Sequence, residues 1–136
     1  MSESMTRARI LMIDDEPEVL AALTQTLSGA GYTCQSCRDR ESALRAIDDA
    51  IPDLLVSDIN LDGQSGLELV EEIKAREPYH ELPVLFLSGA QIPNVVRQAH
   101  EAGGTYYLRK PFDPDVLLDL VDRALWMPAL VSSQLA

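Results

Sequence analysis

Basic residues are scarce in this chain: 11 lysines and arginines stand against 22 aspartates and glutamates, for a formal net charge of −11. A surface of that sign repels phosphate backbones, which argues against direct nucleic-acid binding by this chain and suits a metal cation or a basic partner. Long apolar runs are missing too. None approaches the roughly 18 consecutive residues of a membrane span, and the polar stretch 1–9 lacks the apolar core of a signal peptide. The expectation is a cytoplasmic protein without membrane association. Cysteine and histidine are down to 2 residues each. Cys34 and Cys37 have the Cys-x-x-Cys spacing, but a redox pair needs that motif at the start of a helix, where the thiolate is stabilised. Here both fall in a strand-like stretch, so small buried side chains are expected. His80 and His100 have no companions at metal-ligand spacing and read as exposed polar positions.

What is present suffices for one domain with one core: 136 residues, 46% hydrophobic and 24% charged. Strand-like and helical runs alternate along the chain, with no repeat or low-complexity stretch. Arg9–Ile13 reads as the first strand. Residues 17–30 carry Val19, Leu20, Leu23, Leu27 and Ala30 at helical spacing, with Gly31 as the stop. Residues 32–37 alternate like a half-exposed strand, and Asp39 can cap a helix whose apolar face is Ala43, Leu44 and Ile47. Residues 53–57 form a third strand. Ser65 and Glu68 make a capping-box pattern before Leu69, Val70 and Ile73. Residues 83–87 are another apolar run, 93–102 read as a helix ended by Gly103, and 105–108 as a short strand. Asp113 and Pro114 open the last helix, which buries Leu117, Leu120, Val121 and Ala124.

Such alternation implies an α/β fold with a parallel sheet. The first, third and fourth strand runs are continuously apolar, as strands covered on both faces are, whereas the second and fifth are mixed, as edge strands are. Three central strands and two edges fit a doubly wound, flavodoxin-like order 2-1-3-4-5 with five helices. The apolar pattern alone leaves the order of the central three open.

In sheets of this kind ligands bind beyond the carboxyl ends of the strands. The first strand ends in Asp14, Asp15 and Glu16, the third in Asp58, the fourth in Ser88, and Lys110 and Pro111 follow the fifth. Each has a bland explanation alone: the acidic trio can charge a helix N-terminus, Asp58 can bond its own turn, Ser88 is a common loop residue and Lys110 a solvated charge. Together at one sheet edge they read as a site. Asp14, Asp15 and Asp58 would repel one another without a cation between them. A hard divalent ion with oxygen ligands, such as Mg²⁺, answers that need.

At these residues the chain resembles a response-regulator receiver domain of bacterial two-component systems, from about residue 9 to 125. The matching segments are ILMIDDEP (10–17), LVSDINL (55–61), GLEL (66–69) and LRKPF (108–112). The resemblance implies that Asp58 is the phosphoacceptor and that Asp15 and Asp58, with the backbone carbonyl of Asn60, ligate Mg²⁺, Asp14 acting mainly through a metal-bound water. It makes Ser88 and Lys110 contacts to phosphoryl oxygens, Ser88 and Tyr107 the switch residues, and Pro111 a cis-proline. The partners it implies are a sensor histidine kinase or a phosphotransfer protein, with a homodimer surface on the fourth helix, fifth strand and fifth helix. The chain is then a signalling receiver and no enzyme beyond its own aspartyl phosphorylation and dephosphorylation.

Three positions depart from the family's habit: Asp62 where Pro is frequent, Ala90 two residues after Ser88, and Gly103-Gly104 where Gly-Ala is more usual. Two other classes fit poorly. A dehalogenase-type phosphatase wants Asp-x-Asp after its first strand, and a flavin-binding protein wants a phosphate-cradling loop where this chain has three acids. A receiver-like interaction module that is never phosphorylated stays open as the alternative. The division expected is a short N-terminal segment 1–8, a receiver domain 9–125, and a tail or start of a linker 126–136 that is apolar from Trp126 to Val131. No helix-turn-helix pattern follows the last helix.

Overall fold

The computed structural model describes residues 8–89 and 93–126. Ala90 and the tail beyond Trp126 lie outside them, as does the segment 1–7. Strands β1 (Arg9–Ile13), β2 (Thr33–Cys37), β3 (Leu54–Asp58), β6 (Val84–Ser88) and β7 (Tyr106–Arg109) form one parallel sheet in the order β2-β1-β3-β6-β7. This is the flavodoxin-like order, and it fixes the central three as β1, β3 and β6. Every residue of β3 and β6 is buried, while the edge strands β2 and β7 keep intermediate or exposed positions. Period-two alternation divides the core into two layers. Leu11, Ile13, Leu55 and Phe86 pack against α2 (Arg40–Asp49), α3 (Gly66–Lys74) and α4 (Val95–Glu101). Ile10, Met12, Val56, Leu85 and Leu87 pack against α1 (Pro17–Gly29) and α5 (Pro114–Trp126). Fully burying each such side chain contributes about 1.5–3 kcal/mol.

The helix starts follow from local chemistry. The Asp39 carboxylate accepts the Ser42 N–H at 2.8 Å and the Ser65 hydroxyl accepts the Glu68 N–H at 3.1 Å. Asp113 accepts the Asp115 N–H at 2.8 Å. Helix α4 begins at Val95, later than the run 93–102 suggests, because Asn94 stands in the left-handed region at φ 61° and breaks the helical path. It closes in a Schellman arrangement: the Gly103 N–H donates to the His100 carbonyl and the Gly104 N–H to the Ala99 carbonyl, with Gly103 at φ 101°. A Cβ at Gly104 would lie 2.7 Å from Phe86, so the second glycine lets β7 approach β6 closely.

Two short strands, β4 (Asn60–Leu61) and β5 (Gln64–Ser65), make an antiparallel hairpin that the sequence pattern did not announce. Its turn residues Asp62 and Gly63 have φ 49° and 87°. Two positive angles in a two-residue loop are the type I′ turn that Asp-Gly favours, and proline could not serve there. Cys34 and Cys37 are free thiols in opposite core layers, both with pKa pushed up by burial. His80 and His100 are exposed, and no helix among the described residues is long and apolar enough to cross a membrane.

Candidate functional site

Four polar or charged residues are buried among those described: Asp14, Ser57, Asp58 and Ser88. All four stand at or beside the carboxyl ends of β1, β3 and β6. Burial of polar groups is costly unless they are paired, so their gathering at one edge marks the site. Parallel pairing sets them side by side: Ile13 is opposite Ser57, and Asp58 opposite Leu87.

Lys110, just beyond edge strand β7, reaches inward and holds three carboxylates. Its Nζ lies 3.0 Å from Asp58 Oδ2, 3.1 Å from Asp14 Oδ2 and 2.7 Å from Glu16 Oε1. The Lys110 N–H donates to the Ser88 carbonyl at 2.9 Å, and the Lys110–Pro111 peptide is cis, as is Glu77–Pro78. The other oxygens of the two buried aspartates are also engaged. Asp14 Oδ1 accepts the Glu16 N–H at 2.9 Å, and Asp58 Oδ1 accepts the Asn60 N–H at 3.2 Å. Behind Asp58 the Ser57 hydroxyl donates to its carbonyl at 3.0 Å. That carbonyl also touches the start of α3, for a Cβ on Gly66 would lie only 1.8 Å from it. Glycine is required there by close approach.

The charges are unbalanced. Burial pushes the Asp58 and Asp14 carboxyls above the ordinary range; Asp15 adds to the rise at Asp58, and Asp58 to that at Asp14. At Lys110 burial works against the ammonium, but its bonds to Glu16, Asp58 and Asp14 outweigh burial and raise its pKa. One ammonium therefore faces three acids, each of which offers one oxygen within 4.8 Å of the other two. A pocket of hard oxygen donors with surplus negative charge, two of them desolvated, fits a divalent cation such as Mg²⁺.

Of the residues singled out by sequence, Asp14, Asp58 and Lys110 meet directly, Asn60 adjoins Asp58, and Ser88 is buried at the end of β6. Asp15 sits on the outer side, where it lines a neighbouring cleft with Arg38, Asp39, Leu61, Asp62 and Gln64. Tyr107 is partly buried against the layer of α2, α3 and α4, and lines a small cavity with Val96, Ala99 and His100. Glu16, which along the chain reads only as helix-terminal charge, joins them through Lys110. Its signal was available: a third consecutive acid at a strand end, level with a lysine from another strand.

The profile of the response regulator receiver domain matches residues 10–122. The DNA-binding transcriptional regulator NtrC of Escherichia coli (strain K12) is 36% identical over 121 residues, which cover 89% of this chain and 25% of that protein. The chain thus spans about a quarter of the length of such relatives. Chemotaxis protein CheY4 of Vibrio cholerae shares its fold with a TM-score of 0.83 at 30% identity, over 88% of this chain and 100% of that one. NtrX from Brucella abortus, in complex with ADP, superposes with a TM-score of 0.80 at 36% identity, covering 94% of this chain and 29% of that one.

Proposed function

Because the chain belongs to the response regulator receiver domain family of two-component systems, we propose that it takes a phosphoryl group from a sensor histidine kinase or phosphotransfer protein onto Asp58, in a Mg²⁺-dependent reaction in the cytoplasm. The observation that carries this reading is the Lys110 ammonium bridging the buried carboxylates of Asp58 and Asp14 at 3.0 and 3.1 Å.

Phosphoryl transfer passes through a loose transition state, so position and charge supply most of the catalysis. The Asn60 N–H fixes one oxygen of Asp58, leaving the Oδ2 side, next to Lys110, for attack. Lys110 favours the ionised form of that carboxylate against the effect of burial, and turns to the phosphoryl oxygens once the new bond forms. Asp15 and Asp58, with the Asn60 carbonyl, would hold Mg²⁺, and Asp14 would act through a metal-bound water. When bound, the ion offsets charge gathering on the equatorial oxygens. Ser88 then moves toward the phosphoryl group and Tyr107 turns inward, altering the surface of α4, β7 and α5 through which a partner or second copy docks.

Borohydride trapping tests the acceptor: protein treated with acetyl phosphate and Mg²⁺, then reduced and mapped, should carry homoserine at position 58 alone. Reduction at another aspartate would contradict Asp58 as the acceptor, and none in a folded, Mg²⁺-binding sample would favour an interaction module that is not phosphorylated.

A further inference from the structure

Lys110 follows one edge strand of the sheet, β7, and its charge is spread over three carboxylates. The other edge strand, β2, ends at Cys37, whose carbonyl accepts the Asp14 N–H at 3.0 Å. The next residue is Arg38. Its guanidinium is exposed and donates to the Asp15 carbonyl at 3.3 Å, and it has no ion-pair partner among the described residues. Arg40, two positions on, is paired with Glu72. Arg38 therefore stands on the Asp15 side of the acidic residues, after the sheet edge opposite the one that Lys110 follows.

The guanidinium lines a polar cleft of about 400 Å³ with Asp15, Asp39, Leu61, Asp62 and Gln64. The Asp39 carboxylate there is committed to the start of α2, where bonds from the Ser42 N–H and hydroxyl hold its pKa low. Asp62 sits at the hairpin tip, which leaves Arg38 as the cation of this wall.

We propose that Arg38 receives the leaving group of anionic phosphodonors, which makes it a specificity-determining residue for the transfer to Asp58; this rests on the function proposed above. With an acyl phosphate, an Asp58 oxygen forms a bond to phosphorus while the bond from phosphorus to the acyl oxygen breaks. The departing carboxylate keeps the electron pair and its negative charge, so no proton is needed. Such a carboxylate emerges against an acidic rim, and a guanidinium fork is its natural partner. With phosphoramidate the leaving group departs as neutral ammonia, which gains nothing from Arg38.

The test compares both donors on the full chain with Mg²⁺, scoring initial rates by intact mass. Arg38→Ala should lower the efficiency with acetyl phosphate about three- to tenfold, the range of an exposed charge-assisted contact. The loss with phosphoramidate should stay under about twofold, by the same reasoning. Arg38→Lys should keep an intermediate rate with acetyl phosphate, and calorimetry should give all three proteins the same Mg²⁺ affinity. Equal losses with both donors, or none with acetyl phosphate, would overturn the role of Arg38. A wild-type chain that takes up no phosphoryl group from either donor would instead overturn the proposed function.

Discussion

Folding strips water from the Asp14 and Asp58 carboxyls and offers both, together with Glu16, a single ammonium. Both titrate above their ordinary value of 3.8, burial being the main cause. A folded state that holds protons more tightly than the unfolded one gains stability as pH falls through the window between the raised and ordinary values, and loses it as pH rises. In EDTA, the neutral Asp58→Asn variant should therefore be more stable than the wild-type chain near neutral pH, with the gap narrowing as the pH falls. Urea midpoints at several pH values measure this; a gap that widened with acid would contradict it. Gly66→Ala tests the geometry behind the acceptor. A methyl group 1.8 Å from the Asp58 carbonyl forces the backbone apart. The expected cost is about 1–3 kcal/mol, together with loss of phosphorylation in the protein that still folds. Asp14, Asp58 and Lys110 are legible along the chain because each stands at or just past the end of a strand. The demand for glycine at position 66 cannot be read along a chain, since it depends on how closely the start of α3 approaches the end of β3.

The ordered start of α3 couples the hairpin β4–β5 to the acceptor strand. The Gly66 N–H donates to the Ile59 carbonyl at 2.7 Å, and Ser65 caps the helix as its sequence pattern announced. Ser65→Ala should cost about 1 kcal/mol of stability by urea unfolding. Ser88 is buried at the end of β6 beside Lys110, and Ser88→Ala should still be phosphorylated yet bind its partner, or itself, less well when phosphorylated. Partner binding equal to wild type would sink that role. The continuous apolar runs made β1, β3 and β6 legible as central strands, but period-two patterning carries no information on their relative order; hydrogen-bond register decides that. The hairpin was invisible because two residues per strand are too few for any periodicity. The helical pattern of 93–102 was right in kind and wrong at its start, since a single left-handed residue, Asn94, leaves the hydrophobic spacing undisturbed.

Across the molecule, two apolar layers enclose a sheet whose buried polar residues gather at one edge, in a chain of net charge −11. A cation at that edge binds the folded state and finds no such pocket in the unfolded one, so Mg²⁺ should stabilise the chain by about 2.7 kcal/mol at a hundred times its dissociation constant. Asp58→Asn should lose most of that gain. Every step of the proposed transfer needs Asp58 as acceptor, and intact mass tests that most directly. The chain and its Asp58→Asn variant are incubated with acetyl phosphate, with and without Mg²⁺. One added phosphoryl group on the wild-type chain, only with Mg²⁺ and never on the variant, is the result predicted. No addition to a folded, Mg²⁺-binding wild-type chain, or equal addition to the variant, would contradict it.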